Sequence, residues 1–215
     1  MRPLSPDRFN AVLNAEQGAG QHMLWRRAAM CPCRDPISGA AVQACATCAG
    51  KGVTWAAAVR AWAGATSMKV MREWAQFGLW ESGDVVVSIP SDSPLYAAGE
   101  QDRVTMTDSS EPFSVVLSAP SVGPLPFIAF QVDRAFWLDA GLNIVNAPAL
   151  PSIAADGSLA WPTGAAPAAG AQFSLSGRKR PEYYLFRDLP QDRAHFGGTL
   201  LPRRVALRKF DLFGR

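Results

Sequence analysis

Charge is what this chain has least of. Asp, Glu, Lys and Arg make up 18% of its 215 residues, below the roughly 25% of an ordinary soluble domain. Histidine is scarcer still, with only His22 and His195. There is no Gly-x-Ser-x-Gly elbow, no His-Glu-x2-His pair and no Gly-rich loop ending in Lys-Ser or Lys-Thr. Serine-hydrolase, zincin and P-loop chemistry therefore lack their recognisable forms. Asp192 and His195 have the spacing of an oriented base, but Gly197 and Gly198 mark that stretch as a loop, and a structural role is expected. No carboxylate pair stands out, and Asp84, Asp92, Asp102 and Asp108 sit where turns begin. The expectation is a protein that is not an enzyme.

Long apolar runs are missing too. Nothing approaches the about 18–20 residues of a membrane-spanning helix, so no membrane partner is expected. The first residues, MRPLSPDRFNAVLNAEQ, carry charge where a signal peptide would be apolar. Synthesis in a cytoplasm is expected, where clustered cysteines serve metals more often than disulfides.

What is present is a 48% hydrophobic chain with 17 Pro, 18 Gly and 7 Trp. That composition is globular, turn-rich and aromatic-rich. It fits either a large β core or a surface partly covered by other subunits, since interface cores are poor in charge and rich in aromatics. Charge is uneven along the chain. Residues 178–215 hold ten Lys or Arg against four Asp or Glu, a net of +6, which leaves −3 for the rest of a chain of net +3. A basic segment of this kind faces solvent, a neighbouring subunit or nucleic acid.

The order of elements reads as an N-terminal helical arm over 1–30, a cysteine-rich segment over 31–55 and a β-rich domain over 67–215. Ser5-Pro6 has the form of a helix start, with Ser as N-cap and Pro at the first position. Phe9, Val12 and Leu13 follow on one face, and a second short helical piece is expected around Met23–Arg27. Segment 56–65 is ambiguous, because its alanines favour helix. Strands are expected at 67–74, 84–89, 103–107, 113–117, 127–138, 143–145, 172–176, 183–186 and 203–213, with prolines between them, as in a β-barrel or sandwich. The Pro/Ala/Gly-rich stretch 147–171 reads as a loop or small hairpin, with Asp156-Gly157 as a tight-turn pair. The chain ends in a basic tail.

The strongest local signal is Cys31-Pro32-Cys33, eleven intervening residues, then Cys45-Ala46-Thr47-Cys48-Ala49-Gly50-Lys51-Gly52. Two thiolates three positions apart grip one ion when the backbone turns sharply between them. Glycines just beyond permit positive φ and bring backbone donors to the sulfurs. Four thiolates leave no open coordination position, so the predicted site is structural zinc. Disulfides or free thiols remain the alternatives. The second half resembles half of the zinc module in the cysteine-rich region of bacterial Hsp40 chaperones. The first half departs from it, with one residue between cysteines and no Gly-x-Gly. A bound ion here is expected to set how the N-terminal helix and the β domain are oriented.

Together with the knuckle, four stretches carry a wider resemblance: Val70-Met71-Arg72-Glu73-Trp74, Gly83-Asp84-Val85-Val86-Val87, Gly99-Glu100-Gln101-Asp102-Arg103-Val104 and the closing Arg208-Lys209-Phe210-Asp211-Leu212-Phe213-Gly214-Arg215. The chain resembles head-to-tail connector proteins of tailed bacteriophages, the neck, collar, head-completion or stopper components. The resemblance implies a mixed β-barrel subunit of a homo-oligomeric ring in the virion, assembled in the host cytoplasm. Its implied partners are portal or adaptor and tail proteins, with DNA passing through unread. Arg178, Lys179, Arg180, Arg203 and Arg204 are the candidates for facing DNA or an acidic neighbouring ring. The alternative from the same residues is a zinc-knuckle nucleic-acid-binding protein. Against it, Arg34 and Lys51 are the only cations of the knuckle.

Overall fold

A computed structural model describes residues 5–65, 81–120, 123–190 and 194–213. The protein is mainly β, as expected, and divides into two compact units. One comprises residues 1–108 and 182–215, and the other, 109–181, is inserted between two of its strands. The expected strand over 67–74, and with it Val70–Trp74, lies outside the described residues.

The chain begins with helix α1 (Pro6–Leu13) and strands β1 (Gln21–Arg26), β2 (Ala28–Met30), β3 (Val53–Trp55), β4 (Val59–Ala65), β5 (Val85–Ile89) and β6 (Arg103–Met106). The inserted unit carries β7 (Glu111–Ser118), β8 (Ala129–Leu138), β9 (Ile144–Asn146), β10 (Ser152–Ile153), β11 (Leu159–Ala160) and β12 (Gln172–Lys179). The chain then returns with β13 (Glu182–Asp188), β14 (His195–Phe196), β15 (Thr199–Leu200) and β16 (Arg203–Lys209). Strands β1-β4-β5-β16-β13-β6 close into a barrel, which decides between the expected barrel and sandwich for this unit.

The barrel interior explains the odd composition of its first strands. Met23 and Trp25 of β1 point inward and are buried, and β4 sets Ala61 and Ala63 beside them. Met23 pairs directly with Ala61 in the antiparallel register, so small residues make room where large ones enter. Val87, Ile89, Val104, Leu185, Val205 and Leu207 complete the core, together with Leu95 from the 3-10 turn Pro94–Ala97. The expected helical piece around Met23–Arg27 is therefore a barrel strand, and so is most of the ambiguous segment 56–65. Helix-favouring Gln, Met, Leu and Arg are overruled by hydrogen bonding to β4 on one side and β6 on the other.

The helical arm is correspondingly short. Among the described residues of the arm only Pro6–Leu13 is helical, and Ser5 takes extended backbone without a side-chain cap bond. Phe9 and Val12 stay exposed, so of the expected apolar face only Leu13 helps to anchor the helix. Asn10 exchanges hydrogen bonds with Ser91, and the Leu13 methyl lies over Gly64. A Cβ added to Gly64 would sit 2.3 Å from Leu13 Cδ2. Gly64→Val is expected to leave barrel stability within about 1 kcal/mol, because a flexible side chain can yield. Amide exchange over 6–13 is expected to speed up as the helix undocks. Unchanged exchange there would mean that Asn10 and Ser91 suffice.

The inserted unit is an open sheet in the order β7-β12-β8-β9, with the hairpin β10-β11. Phe113, Leu125, Ala129, Ala135, Phe173 and Leu175 are buried, with Trp137 and Trp161 packed against them. The stretch 147–171 does supply a small hairpin, turned at Asp156-Gly157, where Gly157 has φ +84°. At Gly177 the register of β12 on β8 slips. A Cβ there would meet the Gln131 carbonyl oxygen at 2.1 Å, so only glycine lets the backbones approach this closely.

The basic C-terminal segment is not a free tail. Residues Arg203–Lys209 form a barrel strand between β5 and β13, and Phe210–Leu212 closes it as a 3-10 turn. Among the described residues no helix is long and apolar enough to cross a membrane.

Candidate metal centre

The barrel hairpin β1/β4 runs on into β2/β3, where Ala28 pairs with Trp55 and Met30 with Val53. The ladder continues one step further, Cys31 N–H donating to the Gly52 carbonyl at 2.9 Å. The cysteine segment is thus the tip of one β-ribbon whose base is barrel wall. That arrangement brings together four residues spread over 31–48.

All four Sγ atoms lie within 4.8 Å of one another. Cys33 and Cys48 are 3.5 Å apart, and Cys31 and Cys45 3.9 Å. Four sulfurs at the corners of a tetrahedron about 2.3 Å from a central ion stand about 3.8 Å apart. The spacing fits such an ion and is far from the about 2.05 Å of a disulfide bond. All four cysteines are free. The cluster could bind a metal ion, and its all-thiolate donor set suits a soft or borderline cation.

The backbone around the sulfurs is built for negative charge. Gly52 N–H donates to Cys48 Sγ at 3.2 Å. Ala49, Gly50 and Gly52 all have positive φ, Gly52 at +69°, which turns that donor toward the sulfur. The expected positive φ holds at Gly50 and Gly52, and the expected donor to a sulfur at Gly52. The N–H groups of Cys48 and Thr47 pull the Cys45 thiol down to about 6, with Cys33 adding to the effect. Cys33 is pushed up to about 12, by desolvation first and then by its Cys31 and Cys48 neighbours. Four adjacent thiols cannot all ionise without a compensating cation, and a bound ion supplies it.

The rest of the tip is held locally. Asp35 Oδ1 accepts from Ile37 N–H, Ser38 N–H and the Ser38 hydroxyl, and these bonds lower its pKa. Arg34 donates to the Gly39 carbonyl at 2.8 Å.

The ribbon base is anchored by Asp102, which the sequence placed only at a turn, and by an aromatic cluster around Trp55. Asp102 does accept from Gly99 N–H, as a turn residue would. It is also buried, and it takes the Trp25 indole N–H at 2.7 Å and the Ala28 N–H at 2.7 Å. It therefore bolts β6 to the bend between β1 and β2. Trp55 donates its indole N–H to the Gln101 carbonyl at 3.0 Å and meets Phe210 and Phe213 edge-on at 5.2 and 5.4 Å. Lys51 lies over the Phe210 ring, and Arg103 stacks on the same ring while pairing with buried Glu182. The only signal for this cluster in the sequence was the density of aromatics near the C-terminus. The helix docks through Asn10 and Leu13, while the four cysteines sit at the ribbon tip, so a bound ion is not needed to hold the helix to the barrel.

The basic candidates fall in different places. Arg178, Lys179 and Arg180 lie in the inserted unit. Arg178 donates to Ser110, Lys179 pairs with Glu111 at 3.3 Å, and Arg180 donates to the Ser109 carbonyl and covers Phe130. Arg203 lies in the barrel, forked onto Asp188 and donating to the carbonyls of Tyr96 and Ala98. Its neighbour Arg204 is exposed. His195 is exposed in the β14-β15 hairpin, and Asp192 lies outside the described residues. His22 is on β1, not a helix, with its ring against Asp108 at 2.9 Å. No protein-family model matches the chain, and no curated protein sequence matches it.

Proposed function

We propose that this protein is a structural subunit of a tailed-bacteriophage neck, one copy of a homo-oligomeric ring between portal and tail through which DNA passes. In this reading it resides in the virion, performs no catalysis, and carries a structural zinc ion on Cys31, Cys33, Cys45 and Cys48. Zinc is favoured because four thiolates form a closed tetrahedral set.

The observation that carries the reading is the surface of a chain so poor in charge. Large apolar side chains stand exposed in both units, among them Ile37 at 96%, Leu142 at 77% and Val116 at 65%. Leu138 and Ile144 are cross-strand partners and are both exposed. Subunit contacts in a ring would cover such residues, and a cyclic ring uses two different patches per subunit. The engaged cations support it as well. Lys179 and Arg203 are paired with Glu111 and Asp188, and Arg178 and Arg180 are tied to Ser110 and Ser109, which weakens their hold on phosphates, as a lumen that passes DNA requires.

One observation favours a zinc-knuckle nucleic-acid binder instead. Residues 21–65 carry Arg26, Arg27, Arg34, Lys51 and Arg60 against Asp35 alone. Size-exclusion chromatography with light scattering, run with and without duplex DNA, separates the two. The expected result is one discrete oligomer whose mass is unchanged by DNA. A monomer that binds DNA with affinity falling steeply as salt rises would overturn the neck reading.

A further inference from the structure

The four sulfurs are not equivalent, and their inequality has a pattern. Cys31 and Cys48 are 3% and 5% exposed, while Cys33 and Cys45 are only half-buried. The half-exposed Cys33 lies 3.5 Å from buried Cys48, and the half-exposed Cys45 lies 3.9 Å from buried Cys31. Each reachable sulfur thus has an unreachable one beside it. Both contacts run between the Cys-Pro-Cys half and the Cys-x2-Cys half of the tip.

We infer that the cluster is a modification site for hydroperoxides, which convert it from a metal-bound to a doubly disulfide-bonded tip with the pairing Cys33–Cys48 and Cys31–Cys45. This rests on the reading of the site as metal-bound. In the first step the Cys45 thiolate attacks one peroxide oxygen. An S–O bond forms, the O–O bond breaks, and the leaving hydroxide or alkoxide takes up a proton. The Cys31 thiolate then attacks the sulfenic sulfur of Cys45, expelling hydroxide as the S–S bond forms. Cys33 and Cys48 repeat the sequence. Each bond consumes one peroxide and two protons and removes two electrons from a pair of thiolates. After both, no thiolate remains and the divalent ion leaves. Because both bonds cross between the halves, the tip stays closed where the ion had closed it.

The full-length protein, with its metal content measured first, is treated with hydrogen peroxide in the presence of a chromogenic zinc chelator. Free thiols are counted and the bridges mapped by peptide mass spectrometry without reduction. The expected result is release of one zinc per chain, loss of four thiols for two peroxides, and bridges Cys33–Cys48 and Cys31–Cys45. In Cys33→Ser only Cys31–Cys45 is expected. The proposal is overturned by bridges Cys31–Cys33 and Cys45–Cys48, by sulfinic acids in place of bridges, or by thiols that survive peroxide sufficient to oxidise free glutathione. A protein isolated without metal that still gives the two expected bridges would end the zinc reading and leave the pairing standing.

Discussion

With a metal ion bound at the four cysteines as proposed, excess chelator at neutral pH is expected to unfold residues 31–52 and leave the barrel folded. Amide exchange over 31–52 should accelerate by a factor of about 10² or more, about 2.8 kcal/mol at about 1.4 kcal/mol per tenfold. Such a loss is modest beside the about 10–16 kcal/mol with which four-ligand zinc sites hold small domains. The tip has little else to hold it. Beyond the Cys31 to Gly52 bond it has a few turns, a bridge between Arg34 and Ala41, and fully exposed Ile37. The base is different, because Asp102, Trp55 and the Phe210 cluster fix it to the barrel without help from the sulfurs. Amides of Val86, Val87 and Val205, all fully buried in paired strands, should keep their protection. Acid acts in the same direction as the chelator. Protons compete with the ion for the thiolates, so metal affinity falls as pH falls. Co-operative unfolding of the whole first unit on metal removal would sink this account, and so would an unchanged tip.

Asp102→Ala is expected to be the most damaging single change away from the sulfurs. Its carboxylate serves the Trp25 indole, the Ala28 amide and the Gly99 amide from a position 2% exposed. Removing it strands donors that each cost about 1–3 kcal/mol when buried unpaired. A total near about 4 kcal/mol allows for some water entering the gap. Tm should fall by roughly 8–16 °C, at about 2–4 °C per kcal/mol for a chain of this size. Asp102→Asn, which keeps one acceptor oxygen but turns an NH₂ toward donors, should fall in between. Exchange at Phe173 and Leu175, which share none of these bonds, serves as internal control. A loss below about 1 kcal/mol in the alanine variant would show that the three donors find other acceptors.

Part of this was legible along the chain. The cysteine spacing and the glycines beyond Cys48 announced both a sulfur cluster and the positive φ that turns the Gly52 amide to it. Strands rich in Val and Ile, such as Val85–Ile89, were legible because β-branched runs between turn residues have few other uses. The first two barrel strands were not. Gln21–Arg26 and Val59–Ala65 are made of residues with a helical bias, and their alternation of large and small makes sense only once Met23 is seen opposite Ala61. The burial of Asp84, Asp102 and Glu182 was illegible for a similar reason. A turn aspartate and a buried anchor look alike until partners more than seventy residues away, such as Trp25 for Asp102 and Arg208 for Asp84, are in place.

The sequence by itself determined that the protein is built mainly of strands, that a helix begins at Ser5-Pro6, and that four cysteines act as one cluster. These follow from local chemistry: β-branched patterning, Pro at a helix start, thiols at ligand spacing. Only the tertiary structure decided that the strands of the first unit close into a barrel, that residues 109–181 form a unit of their own, and that the cysteines cap a ribbon anchored by Asp102. Those outcomes depend on pairings between segments far apart in the chain, such as β1 with β6 and β5 with β16. No local preference encodes which distant strand supplies the missing hydrogen bonds.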